Sequence, residues 1–191
     1  MSPTRESRQI VFRRIAQRSY VEWPVYESTP LYDRTSLAGL ETDIRTVSET
    51  WFRNDEHDSV EQFVCSLPLA YFRFDTHDRY ADSTRYGMEA LFRVFILKEL
   101  HGWIHETALL EYLERRSDLC TRLGFDKIPD QSTLWRSWHN RFTAGLCKTV
   151  ETVARTILIK AQNAGIAVPR EPDRKLRRHN DESSKSEPND Q

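Results

Sequence analysis

The stretch TRYGMEALFRVFILKEL, residues 84–100, constrains this chain more than any other segment. Met88, Leu91, Phe92, Phe95 and Ile96 recur at i, i+3, i+4, i+7 and i+8, the signature of an amphipathic helix. Val94 and Leu97 widen that stripe. A helix apolar over so much of its circumference must be covered on several sides, so other helices surround it. No segment of useful length alternates apolar and polar residues, and the expected class is therefore all-α, a helical bundle. With 191 residues and 38% hydrophobic content, the chain can build one core of modest size.

The neighbouring segments read as its partners. Residues 40–66 suggest one or two helices with Trp51, Phe52, Val60, Phe63 and Val64 inward, ended by Pro68. Their other face is acidic, from Glu41 to Glu61, and reads as solvated. Residues 104–116 form the next helix, with Leu109, Leu110 and Leu113 inward. Ser117 is placed to cap a short helix that Gly124 closes. Asp130 or Ser132 caps a further helix, QSTLWRSWHNRF. Gly145 allows a bend, and residues 146–163 make the last helix through Leu146, Val150, Val153 and Ile157.

The ends differ from this middle. Arg13, Arg14 and Arg18 give residues 1–39 the look of a basic arm with an irregular lead-in interrupted by Pro24 and Pro30. Such an arm either binds phosphates without sequence preference or is a solvated terminus. Residues 166–191 carry no aromatic side chain and split into a basic half, with Arg174–Arg178 at its centre, and an acidic half. They read as a disordered tail. The helical domain thus spans residues 40–165.

Charge and composition exclude several function classes. The formal net charge is only −1, so a nucleic-acid role must rest on where the charges sit. No stretch approaches the ~18 consecutive apolar residues of a membrane span. The N-terminus has no secretory signal. Three scattered cysteines form neither a zinc pattern nor a pair, which suits reduced thiols in a cytoplasmic protein. No glycine lies in a nucleotide-binding loop, and no cofactor is implied.

The functional signal lies in residues 104–142, which read helix, short helix, loop, helix. By chemistry, the last helix divides into an apolar side, Leu134, Trp135, Trp138 and Phe142, and a polar side, Thr133, Arg136, Ser137, Asn140 and Arg141. Arg and Asn on one helix face can read guanine and adenine edges in the major groove. That is the layout of a helix-turn-helix-like unit, although any amphipathic surface helix also shows a polar face.

The same segment, GWIHETALLEYLERRSDLCTRLGFDKIPDQSTLWRSWHNRF, resembles the N-terminal domain of prokaryotic insertion-sequence transposases of the DDE type. The pattern is carried by Leu123-Gly124-Phe125, Pro129, Ser132-Thr133-Leu134, Arg136 and Arg141-Phe142, and the LFRVFILKELHGW helix before it fits as well. The resemblance covers residues 84–165. It implies binding of double-stranded DNA at the terminal repeats of a mobile element, and a dimer or a pairing with full-length transposase. In that family a ribonuclease-H-like domain of about 150 residues follows and carries the metal-binding carboxylates. Here a charged tail follows the last helix, so the expectation is a partial transposase that is not itself an enzyme. The alternative reading is a protein-interaction module that pairs with intact transposase as an inhibitor or regulator, through the acidic face of residues 41–61.

Other clusters carry less. His101 and His105 are four apart, but the pattern is not HExxH and no third ligand is evident. Asp75, Asp78 and Asp82 match no calcium loop and read as a solvated, helix-capping acidic loop. Ser132 and His139 lie two turns apart with no third group to orient the imidazole. Neither a metal site nor a catalytic residue is expected.

Overall fold

A computed structural model describes residues 35–53, 59–80 and 85–171. The arginines of the basic arm (Arg13, Arg14, Arg18), Asp82, and the basic run at 174–178 lie outside them. Among the described residues the elements are α1 (Leu37–Arg53), α2 (Val60–Ser66), a 3₁₀ turn (Phe74–His77), α3 (Met88–His101), α4 (Glu106–Glu114), α5 (Ser117–Leu123), α6 (Gln131–Arg136) and α7 (Ala144–Asn163). A π turn, Ser137–Arg141, continues α6 directly. The class is all-α, with one isolated antiparallel bridge, Asp78 to Phe142, and no strand among the described residues.

The apolar helix α3 is the centre. Leu91, Phe92, Val94, Phe95, Ile96, Leu97 and Leu100 are fully buried. α7 covers one side of it, while α2 and α5 pack elsewhere on its surface. α1 lies along α7 through Leu40, Ile44, Val47 and Trp51, at helical spacings of four, three and four. The two helices run parallel: Thr149 donates to Glu41 at 2.8 Å, and further along both helices Lys160 pairs with Glu49.

The loop between α2 and α3 joins the core. Leu67, Leu69, Tyr71, Phe72 and Phe74 are buried, and Phe74 meets Phe92 of α3 at 5.1 Å between ring centroids. Burying this many aromatic rings, each a large apolar area, holds an irregular segment as firmly as a helix.

Several local expectations change. Arg116, not Ser117, occupies the cap position of α5, with no side-chain cap, because the helix already begins at Ser117. Gly145 makes no bend: Thr143 caps α7 by accepting from Leu146 N–H at 3.2 Å, which starts the helix ahead of the glycine. The acidic face of 41–61 is only partly solvated. Asp43 accepts from Tyr71 at 2.7 Å, Glu41 accepts from Thr149, and Glu61 accepts from Arg116 at 2.7 Å. Gly124 does close α5, in the left-handed region at φ 107.

Candidate nucleic-acid interface

The surface around α6 begins with Asp130. Its carboxylate accepts from the Thr133 N–H at 2.6 Å and from the Ser132 hydroxyl at 2.8 Å. The Ser132 hydrogen bond, helped by Thr133, holds its pKa below the usual carboxylate range. The capping position of α6 is therefore filled by an ionised side chain, which complements the positive end of the peptide dipoles. The Thr133 N–H is thereby taken by the cap.

α6 is seated by α4 and α3. Gln131 donates to Thr107 of α4 at 3.0 Å. Phe95 of α3 meets Trp138 at 4.9 Å and Phe142 at 5.2 Å. Beneath this contact Lys98 and Glu106 form a buried pair at 2.9 Å, and the Lys98 ammonium also lies 5.7 Å from the Trp138 ring centre. Burial alone would raise the Glu106 pKa; the hydrogen bond and charge of Lys98 and a backbone hydrogen bond together outweigh it, and the pKa falls. A buried ion pair of this kind is destabilising unless both charges are satisfied, so it restricts how α3, α4 and the π turn fit together.

The predicted polar face divides in two. Arg136 and Asn140 are exposed and Thr133 is half-buried. Ser137 and Arg141 are buried, at 4% and 5% exposure. They lie three and seven residues after Leu134, the spacings that share its face. Assigning faces by polarity therefore fails for both. Ser137 donates back to the Thr133 carbonyl at 2.7 Å. Arg141 makes a bidentate pair with Asp78, Nε to Oδ1 at 3.0 Å and Nη2 to Oδ2 at 2.8 Å, and donates through Nη1 to the Tyr86 carbonyl at 2.7 Å. The Arg79 N–H closes the same contact on the Arg141 carbonyl at 2.9 Å. Asp78 is thus no solvated loop acid: it is the partner of a buried guanidinium. Asp75, by contrast, pairs with Arg73 in solvent.

Trp135 is the reverse correction. Expected inward, it is 47% exposed, because it follows Leu134 by one residue and points about 100° away from it around the helix. Its ring meets that of His139 at 4.5 Å and 36°.

Arg141 therefore brings a second segment to α6. A surface depression beside the helix is lined by Thr133, Arg136, Ser137 and Arg141 from α6 and the π turn, and by Tyr80, Arg85 and Tyr86 from the clamped loop. A second depression, formed by Gln131, Ser132 and Trp135, shares Asp130 and Arg136 with it. Arg136 stands between the two, its guanidinium folded along the helix onto Ser132, Nε to the carbonyl and Nη2 to the hydroxyl at 3.2 Å each. Arg85 lies over the Tyr86 ring at 5.6 Å. Tyr80 and Arg85 were not among the expected site residues. The alternation of arginine and tyrosine in RYADSTRY, residues 79–86, is the sequence signal that marks them.

Among the described residues no three His, Cys, Asp or Glu side chains come together in a way that could hold a metal ion. His101 and Trp103 instead stack at 4.2 Å, with Glu61 at 3.5 Å from His101 Nε2. No helix among the described residues is long and apolar enough to cross a membrane. Cys120 is buried and Cys65 and Cys147 half-buried; burial pushes all three thiols up, Cys147 to about 11.

Residues 52–140 match a family model described as Transposase domain (DUF772). No curated protein and no solved structure matches the chain.

Proposed function

We propose that this chain, whose residues 52–140 match a transposase domain, has a transposition-related role and binds the ends of a mobile element through the exposed side of α6. Arg136 carries the reading: it is an exposed guanidinium on a helix whose opposite side is locked into the core by Leu134, Ser137, Arg141 and Phe142. In this reading α4, α5 and α6 act as the helix-turn-helix-like unit. Arg136 and Asn140 reach base edges, Thr133 touches the backbone, and Arg85 meets phosphate from the flanking loop. Arg141 and Ser137 shape the surface without touching DNA. Arg13, Arg14 and Arg18 add sequence-independent phosphate contacts.

In this reading the described residues contribute recognition of the element ends. Tyr71, Thr149 and Arg116 already engage Asp43, Glu41 and Glu61 of the acidic face, which leaves it less to offer a partner chain.

The test is selection of duplexes from a randomised pool, followed by fluorescence anisotropy. Arg136→Ala should weaken the selected duplex about 5- to 150-fold, the range of one bidentate base contact, and a scrambled duplex less. Equal affinities for wild type and Arg136→Ala on both duplexes, with the fold intact, would reject this helix as the reader.

A further inference from the structure

Large apolar side chains exposed on the described surface are Tyr80, Ile104 and Trp135. Two of these, Tyr80 and Trp135, line the two depressions that share Arg136 and Asp130. The two depressions meet at one guanidinium, that of Arg136, and Arg85 lines the one that holds Tyr80. A helix that reads paired bases in the major groove does so with hydrogen-bonding side chains and small apolar contacts. A half-exposed indole standing on that helix adds a flat stacking face that paired, stacked bases do not use. Aromatic faces interleaved with arginine are the chemistry of unpaired strands: bases stack on rings while cations follow the phosphates.

From this arrangement, and resting on the DNA-binding reading above, we propose that the Tyr80–Arg136–Trp135 surface takes unpaired DNA bases next to a duplex. One base stacks on Trp135, whose ring also meets His139 at 4.5 Å. A second stacks on Tyr80. Arg85 meets the phosphate on the Tyr80 side, while Arg136 keeps its base contact in the adjoining duplex. Asp130, the acid common to both depressions, is already engaged by Ser132 and Thr133 and lies at the helix start. It leaves the phosphate path to the Arg85 side and can accept from an exocyclic amino group. The fold makes the surface stiff enough for this: Tyr80 N–H donates to Asp78 Oδ1 at 2.9 Å, so the clamp that buries Arg141 also holds the Tyr80 backbone.

The experiment measures affinity of the full chain for three DNAs of one sequence by anisotropy: a paired duplex, the same duplex with a short unpaired stretch at one end, and the single strand. The forked DNA should bind at least about fivefold tighter than the paired duplex, and Trp135→Ala should weaken the fork about 5- to 150-fold, as expected for one lost stack. Paired-duplex affinity should not change. Trp135→Phe should retain part of the fork preference, and Tyr80→Ala should reduce it. Because Trp135 is half-exposed, Trp135→Ala should melt as wild type does. Equal binding of fork and duplex would overturn the proposal while leaving the DNA-binding reading intact. Equal weakening of both by Trp135→Ala would overturn it too, by assigning the indole to paired DNA. Failure to bind any of the three DNAs would remove both readings.

Discussion

Arg141 shows how much one side chain decides. Its guanidinium has its donors directed at Asp78 and the Tyr86 carbonyl, so the charge is satisfied where it is buried. Removing one member of a buried pair leaves the other uncompensated, at a cost of ~3–5 kcal/mol. Asp78→Ala should lower unfolding free energy in urea by that order, and it should weaken DNA binding through loss of the Tyr80 loop. Arg141→Lys should fail to restore stability, since an ammonium cannot form the planar bidentate pair. Glu61 is a second decisive residue. Burial pushes its pKa up, but His101, Tyr112 and Arg116 together outweigh this and hold it down at about 2. A folded pKa below the unfolded value of 4.5 means stability that is fully present above pH 4.5 and is lost as pH falls toward 2. The loss should reach ~3 kcal/mol at most, read as the difference in urea unfolding between pH 6 and pH 2.5. Glu61→Gln should flatten that dependence.

At the scale of elements, the end of α3 shows a local signal completed from afar. Gly102 adopts φ 70, and a side chain there is strained in the left-handed region by ~1–2 kcal/mol. The site is also crowded: a Cβ would lie 2.6 Å from Arg170 Cδ, while Arg170 donates to the Glu99 carbonyl at 3.0 and 2.7 Å. Gly102→Ala should therefore destabilise in two ways, by backbone strain and by displacing the arginine from the helix end. In an Arg170→Ala background only the strain remains, so the glycine substitution should cost less there. A double-mutant cycle by thermal or urea unfolding measures that coupling. α6 carries a similar lesson. A hydrophobicity scan puts Trp135 with its apolar neighbours and Ser137 and Arg141 with the polar ones, whereas helical spacing from Leu134 does the opposite, as the structure has it.

For the molecule as a whole, the family-matched stretch and the folding unit differ. Residues 52–140 contain α3 but not α7, and nearly all of α1 lies outside them too. Val150, Val153, Ile157 and Leu158 of α7 are buried in the shared core. A fragment of residues 52–140 would leave one side of α3 uncovered, and losing several buried aliphatic contacts at ~2–5 kcal/mol each exceeds the usual net stability of a domain. That fragment should lack a cooperative unfolding transition, while residues 35–171 should show one, with helical circular dichroism.

By itself the sequence determined the all-α class, the central place of residues 88–100, a cap at Asp130 or Ser132, the stop at Gly124 and the resemblance to transposases. These follow from local periodicity, from single-residue backbone preferences and from short spaced patterns. Tertiary structure alone decided that Asp78 and Arg141, 63 residues apart, form one clamp. It also decided that Tyr80 and Arg85 come to α6, and that the loop carrying Phe72 and Phe74 belongs to the core. Whether a charged or aromatic side chain is buried depends on what stands opposite it, and pairings across such distances leave no periodic trace along the chain.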